Sequence, residues 1–141
     1  MPYRYEEHTA DLKITATGND FPGVVNSVID GIKEFLFETT DIKHTESYPI
    51  SIKADDLVEL IVSLLEEILF LHETELFIFD KLEFKEIQIE KPPYTIKAVI
   101  IGQKKSADMI IKTEIKAVTY AEAEIYKKKD DTWYISLVFD I

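Results

Sequence analysis

Cysteine is missing from all 141 residues, which removes disulfides, thiolate metal sites and cysteine nucleophiles at once. A reducing compartment fits that composition. Glycine is scarce, with Gly18, Gly23, Gly31 and Gly102 scattered singly, so there is no glycine-rich phosphate loop. Neither a G-x-S-x-G nucleophile elbow nor an H-E-x-x-H metalloprotease helix occurs. Long hydrophobic runs are lacking too. The longest apolar stretch, Leu57 to Leu71, is broken by Glu59, Glu66 and Glu67, and is too short and too charged to span a bilayer. The opening residues Met1-Pro2-Tyr3-Arg4-Tyr5-Glu6-Glu7 hold no apolar secretory core. The expectation is a soluble, cytoplasmic protein with no membrane role and no self-sufficient catalytic constellation.

Positive charge is in short supply. Sixteen basic residues face 27 acidic ones, a net charge of −11. Residues 1–90 carry 20 acidic and 7 basic side chains, whereas residues 91–141 carry 7 and 9. Tight nucleic-acid binding needs cations that displace condensed counterions, so no direct tight binding of RNA or DNA is expected. A basic protein partner would be steered toward the acidic part.

What is present is a hydrophobic fraction of 46%, enough for a real core in one domain spanning residues 1–141. Leu12, Ile14 and Ala16 alternate with Lys13, Thr15 and Thr17 before Gly18-Asn19-Asp20, a half-buried strand ending in a turn. Asp20 is placed to cap a helix with Pro22 in its first turn. Val24, Val25, Val28, Ile32, Phe35 and Leu36 then recur at helical spacing over roughly residues 21–38. Tyr48, Ile50 and Ile52 alternate as a second strand. Asp55 or Asp56 opens a second helix whose leucines and isoleucines, from Leu57 to Leu71, cover more than half its circumference. Beyond Leu76 the pattern is that of strands: Phe77 to Ile89, a break at Lys91-Pro92-Pro93, then Tyr94 to Ile101, Met109 to Val118, Ala121 to Tyr126 and Trp133 to Phe139. The order βαβα followed by several β strands predicts an α+β fold, a largely antiparallel sheet with both helices packed on one face.

Three histidines, His8, His44 and His72, lie in different contexts. His44 in a polar loop and His72 at the end of the second helix read as solvated or structural. His8-Thr9-Ala10-Asp11, just before a strand, fits either a turn bonded to nearby backbone or a ligand site. Phe139-Asp140-Ile141 ends a core-patterned strand, which sets the Asp140 carboxylate beside the α-carboxylate of Ile141. Two anions held together repel, and a hard cation or a basic side chain relieves the cost; two solvated carboxylates on a frayed end are the alternative.

Taken together, the motifs resemble those of the archease family. His8-Thr9-Ala10-Asp11 resembles its H-T-A-D signature, and Leu60 to Leu71 resembles its L-L-V-E-W-L-N-E-L-L-Y-L segment. Lys116-Ala117-Val118-Thr119-Tyr120 matches its K-A-V-T-Y signature, and Asp140-Ile141 its terminal D-I, in the same order over essentially the whole chain. The departures are Ala121 where many members have His, Leu64 in place of the helix Trp, and Ser63 in place of its Glu. The resemblance implies an accessory protein, not itself an enzyme and without catalytic residues. It would act in tRNA processing as an activator of the RtcB-type RNA ligase of tRNA splicing, promoting GTP-dependent guanylylation of the ligase so that it turns over repeatedly. It also implies a divalent-metal site made by Asp11, Asp140 and the Ile141 carboxylate. All-oxygen ligation suits Ca²⁺ (calcium) or Mg²⁺ better than zinc. His8 and Lys116 would face the partner, with Lys116 reaching a phosphate or an acidic group of the ligase; on spacing alone, a plain outward strand lysine is the alternative for Lys116.

Two further readings compete. One is a general chaperone-like or adaptor module acting on protein partners, which would tolerate loss of Asp11 and Asp140. The other is a metal-dependent hydrolase using those carboxylates, for which the sequence offers no clear general base.

Overall fold

The computed structural model describes residues 2–7, 11–38 and 41–141, the side chains of residues 6 and 7 excepted. His8, Thr9 and Ala10 lie outside the described residues. The elements run β1 (Tyr3–Glu7), β2 (Asp11–Gly18), α1 (Phe21–Leu36), β3 (Glu46–Ala54), α2 (Leu57–Glu75), β4 (Phe77–Gln88), β5 (Tyr94–Lys104), β6 (Ala117–Val118), β7 (Glu124–Lys127) and β8 (Trp133–Asp140). Two helices with antiparallel strands make the α+β fold that the patterning predicts.

The strands are divided between two sheets. In the first, β1, β2, β8 and β6 lie side by side, with β7 also paired to β8; in the second, β5 lies between β3 and β4. Periodicity fixes which face of a strand is buried but not which strand lies beside it, so the split has no signature in the hydrophobic pattern. β1 is an additional strand ahead of the expected first one. Tyr5 of β1 donates its hydroxyl to the Gly31 carbonyl at 2.8 Å, tying this edge strand to α1. Between residues 109 and 118 the expected long strand shortens to β6. Met109, Ile115 and Val118 are still buried there, but the odd step of three from Ile115 to Val118 does not fit a pleat of period two.

Both helices begin as their caps dictate. The Asp20 carboxylate accepts from Gly23 N at 2.7 Å, and the Asp56 carboxylate from Glu59 N at 2.7 Å. α1 packs across β2 and β4 and also touches β1 and β8, while α2 packs on β3, β4 and β5 and reaches β6 and β7. The helices thus join the two sheets through one core, in which Ile14, Val28, Leu64, Phe77 and Phe139 are fully enclosed. Each such side chain contributes about 1.5–3 kcal/mol. Gly102 is required where β5 meets β4, because a Cβ there would lie 2.1 Å from the Ile78 carbonyl oxygen. Among the described residues no helix is long and apolar enough to cross a membrane.

β4 slips register against β5 twice, between Phe79 and Lys81 and between Phe84 and Glu86. The first slip leaves Asp80 as the extra, unpaired residue, and such bulges re-aim a side chain. Asp80 reaches Lys33 Nζ of α1 at 2.7 Å and His44 Nε2 at 2.6 Å. Burial pushes its carboxyl up, but hydrogen bonds from Lys33 and His44, and their charges, outweigh that and hold it below the ordinary range. A depressed carboxyl contributes stability above its unfolded pKa, and that contribution is lost as the pH falls through the folded value. Asp80→Asn is therefore expected to flatten the loss of stability below about pH 4. Urea denaturation of both proteins across that range reads the difference, and parallel curves would exclude the linkage.

Candidate functional site

The register of β2 against β8 places Asp11 directly opposite Asp140. β6 flanks β8 on its other side, with Ala117 opposite Asp140. Lys116 donates its backbone N–H to the Asp140 carbonyl at 2.7 Å. Three strands therefore bring Asp11, Asp140, Ile141 and Lys116, four of the five positions singled out in the sequence, to one corner of the first sheet. The fifth, His8, lies outside the described residues.

Directly opposed residues of an antiparallel pair present their side chains on the same face, with Cβ atoms about 4.5–5.5 Å apart. The Asp11 and Asp140 carboxylates thus share a face, Asp140 exposed and Asp11 half-buried. One step inward, Leu12 pairs with Phe139, and both are buried, at 7% and 0% exposure. That apolar pair anchors the strand end, and β8 keeps strand geometry through Asp140. Asp140 and Ile141 are themselves exposed.

Next along β2 on the carboxylate face comes Lys13, whose Nζ lies 3.7 Å from Glu122 in the turn after β6. Glu122 adopts a left-handed backbone, φ 54°. Thr119 bonds the Val138 carbonyl through both its N–H, at 3.0 Å, and its hydroxyl, at 2.9 Å. The segment from Lys116 to Thr119 is therefore fastened to β8 by backbone bonds at each end. Lys116 is exposed and forms no ion pair among the described residues, so its ammonium is available to an external group.

The corner suits a hard cation. Its donors are carboxylate oxygens, the ligand type that hard divalent cations take. Among the described residues no cluster of three or more His, Asp or Glu side chains forms.

The other two groups singled out as structural are just that. His72 is buried, its Nδ1 2.8 Å from the Phe77 carbonyl and its ring edge-on to Phe37 and Phe79. His44 belongs to the Asp80 cluster, beside a cleft of about 510 Å³ lined by Lys33, Glu34, Phe37, Asp80 and Lys112 among others. Sequence reasoning missed Glu122 and the Lys33–Asp80 link, because both join residues remote in the chain.

A family model described as the Archease protein family matches residues 3–141. A protein named "Protein archease" from Methanosarcina acetivorans is 34% identical over 140 residues, covering 99% of this chain and 95% of that protein. One of the same name from Pyrococcus abyssi is 30% identical, covering 99% and 98%. The solution structure of Methanobacterium thermoautotrophicum protein 1598 superposes with a TM-score of 0.84 at 25% identity, covering 99% of each chain. A crystal structure from Thermotoga maritima, described as an archease and possible chaperone, shares the fold at a TM-score of 0.53 and 19% identity, covering 98% and 96%. With its four motifs in register and a match over nearly its whole length, the chain belongs to the archease family.

Proposed function

We propose that this chain is a non-catalytic activator of an RtcB-type RNA ligase in tRNA splicing, promoting GTP-dependent guanylylation and multiple turnover of that enzyme. The observation that carries the reading is the convergence of Asp11, Asp140 and Lys116 on one anchored corner. It joins carboxylate oxygens to an exposed ammonium, the two kinds of group that handle metal and phosphate. Asp11, Asp140 and the Ile141 carboxylate would hold the cation. A hard divalent ion held there supplies a compact positive charge for phosphate oxygens. The chain's own part is to hold the two carboxylates opposite each other on paired strands and to set Lys116 beside them. Its acidic surface lets it approach a basic RNA-ligase site without competing through RNA affinity of its own.

Lys116→Ala tests the role of the ammonium. An exposed lysine contributes little to folding, so the melting temperature should stay within a few degrees of wild type, while ligase turnovers per GTP-fuelled reaction fall about tenfold, as for one lost charge-assisted contact to phosphate. Undiminished turnover would remove Lys116 from the mechanism. A chaperone-like or adaptor role is the second reading, favoured by the description of the Thermotoga maritima protein as a possible chaperone. It differs in tolerating the loss of Asp11 and Asp140.

A further inference from the structure

α2 carries five glutamates and no lysine or arginine. Its inner face, with Leu60, Ile61, Leu64, Leu65 and Ile68, is buried. On the outer face, Glu59, Glu66, Phe70 and Glu73 follow one another at steps of seven, four and three residues, which at 3.6 residues per turn aligns them in one stripe. Glu67 borders it. None of these four glutamates forms an ion pair among the described residues. A plain solvated face accounts for glutamates, but two details do not fit it. Phe70 stands in the middle of the stripe with 57% of its surface exposed. Glu73 and Glu75 occupy the last turn, where the helix dipole favours cations and penalises anions. Among the described residues the basic groups at this end are Lys104 Nζ, on the Glu75 carbonyl at 3.3 Å, and the buried His72, whose Nδ1 lies on the Phe77 carbonyl. The residue choice therefore works against helix stability while keeping a strong negative field around an exposed ring.

An aromatic side chain ringed by polar groups is the usual form of an interface anchor. Charge complementarity selects a cationic partner surface with an apolar recess. α2 also packs against β6, the strand that leads from Lys116 past Asp140, so the stripe and the carboxylate corner belong to adjoining elements. We propose that the Glu66–Phe70–Glu73 stripe is the docking surface through which this chain engages a basic face of the RNA ligase, with Phe70 seated in the ligase and the carboxylates steering the encounter. This rests on the ligase-activating reading and adds to it a contact separate from the corner.

The test is surface-plasmon measurement of the full chain on purified RtcB-type ligase at two ionic strengths, beside guanylylation at saturating concentration. Phe70→Ala is expected to raise the dissociation rate about tenfold with little change in association. The double variant Glu66→Gln/Glu73→Gln is expected to slow association about tenfold at low salt and to flatten its salt dependence. It should melt at or above the wild-type temperature, since one of the two anions, Glu73, leaves the negative end of the helix. Both variants should reach wild-type guanylylation when saturating, because docking is impaired and the corner is intact. Wild-type rate constants in both variants, while the wild type binds and activates, would overturn the docking surface alone. A wild type that neither binds nor activates would overturn the ligase reading and this occupant with it.

Discussion

Asp140→Ala is expected to abolish ligase activation at metal concentrations that saturate the wild type, and Asp11→Ala to do the same. Each removes one of two carboxylates that β2 and β8 hold directly opposite each other. Loss of an outer-shell partner already costs about 10–100-fold in metal affinity, and loss of a direct oxygen donor should cost no less. The fold of Asp140→Ala should survive, because Asp140 is exposed and surface substitutions contribute little to stability. Calorimetric titration with Ca²⁺ and with Mg²⁺ gives the binding, and melting with and without cation gives the linked stability. Wild-type heats and wild-type activation in either variant would remove the metal from the account and favour an adaptor.

Extending the chain beyond Ile141 is the second large effect. A peptide added there converts a carboxylate oxygen donor into a neutral carbonyl and carries the negative charge away from Asp11 and Asp140. Affinity for hard cations falls with the charge of the ligand set, so activation should drop at least about tenfold, in line with a loss of about 1.4 kcal/mol or more. The same tag at the N-terminus should be tolerated. Equal activation by the two tagged proteins would exclude the Ile141 carboxylate as a donor.

Much of this was legible in the residues themselves. Both helices were readable because Asp20 and Asp56 cap them and their apolar stripes recur at helical spacing. The bulges of β4 also leave a trace. Phe77, Phe79, Leu82, Phe84 and Ile87 step by two, three, two and three residues, and each step of three coincides with a register slip. Alternation of Tyr3 and Tyr5 with Arg4 and Glu6 likewise foreshadows β1. The pairing of β2 with β8, about 120 residues apart in the chain, is another matter. Period-two patterns of equal strength occur in several strands, and only tertiary packing selects which pair. The opposition of Asp11 to Asp140 therefore came from the fold, whereas their assignment to one shared site came from motif resemblance. Lys33, His44 and Asp80 meet from a helix, a loop and a bulge, and no local spacing signals such a meeting.

The central claim is that this chain acts on the ligase's nucleotide step rather than on RNA. Its most direct test is the rate of ligase–guanylate formation from GTP with no RNA present, measured with and without the protein and paired with a gel-shift of tRNA halves at physiological salt. The net charge of −11 opposes RNA binding, so the protein should speed guanylylation with no RNA present and no shift should appear. Stimulation that appears only when RNA is added, together with a clear RNA shift by the protein alone, would contradict it.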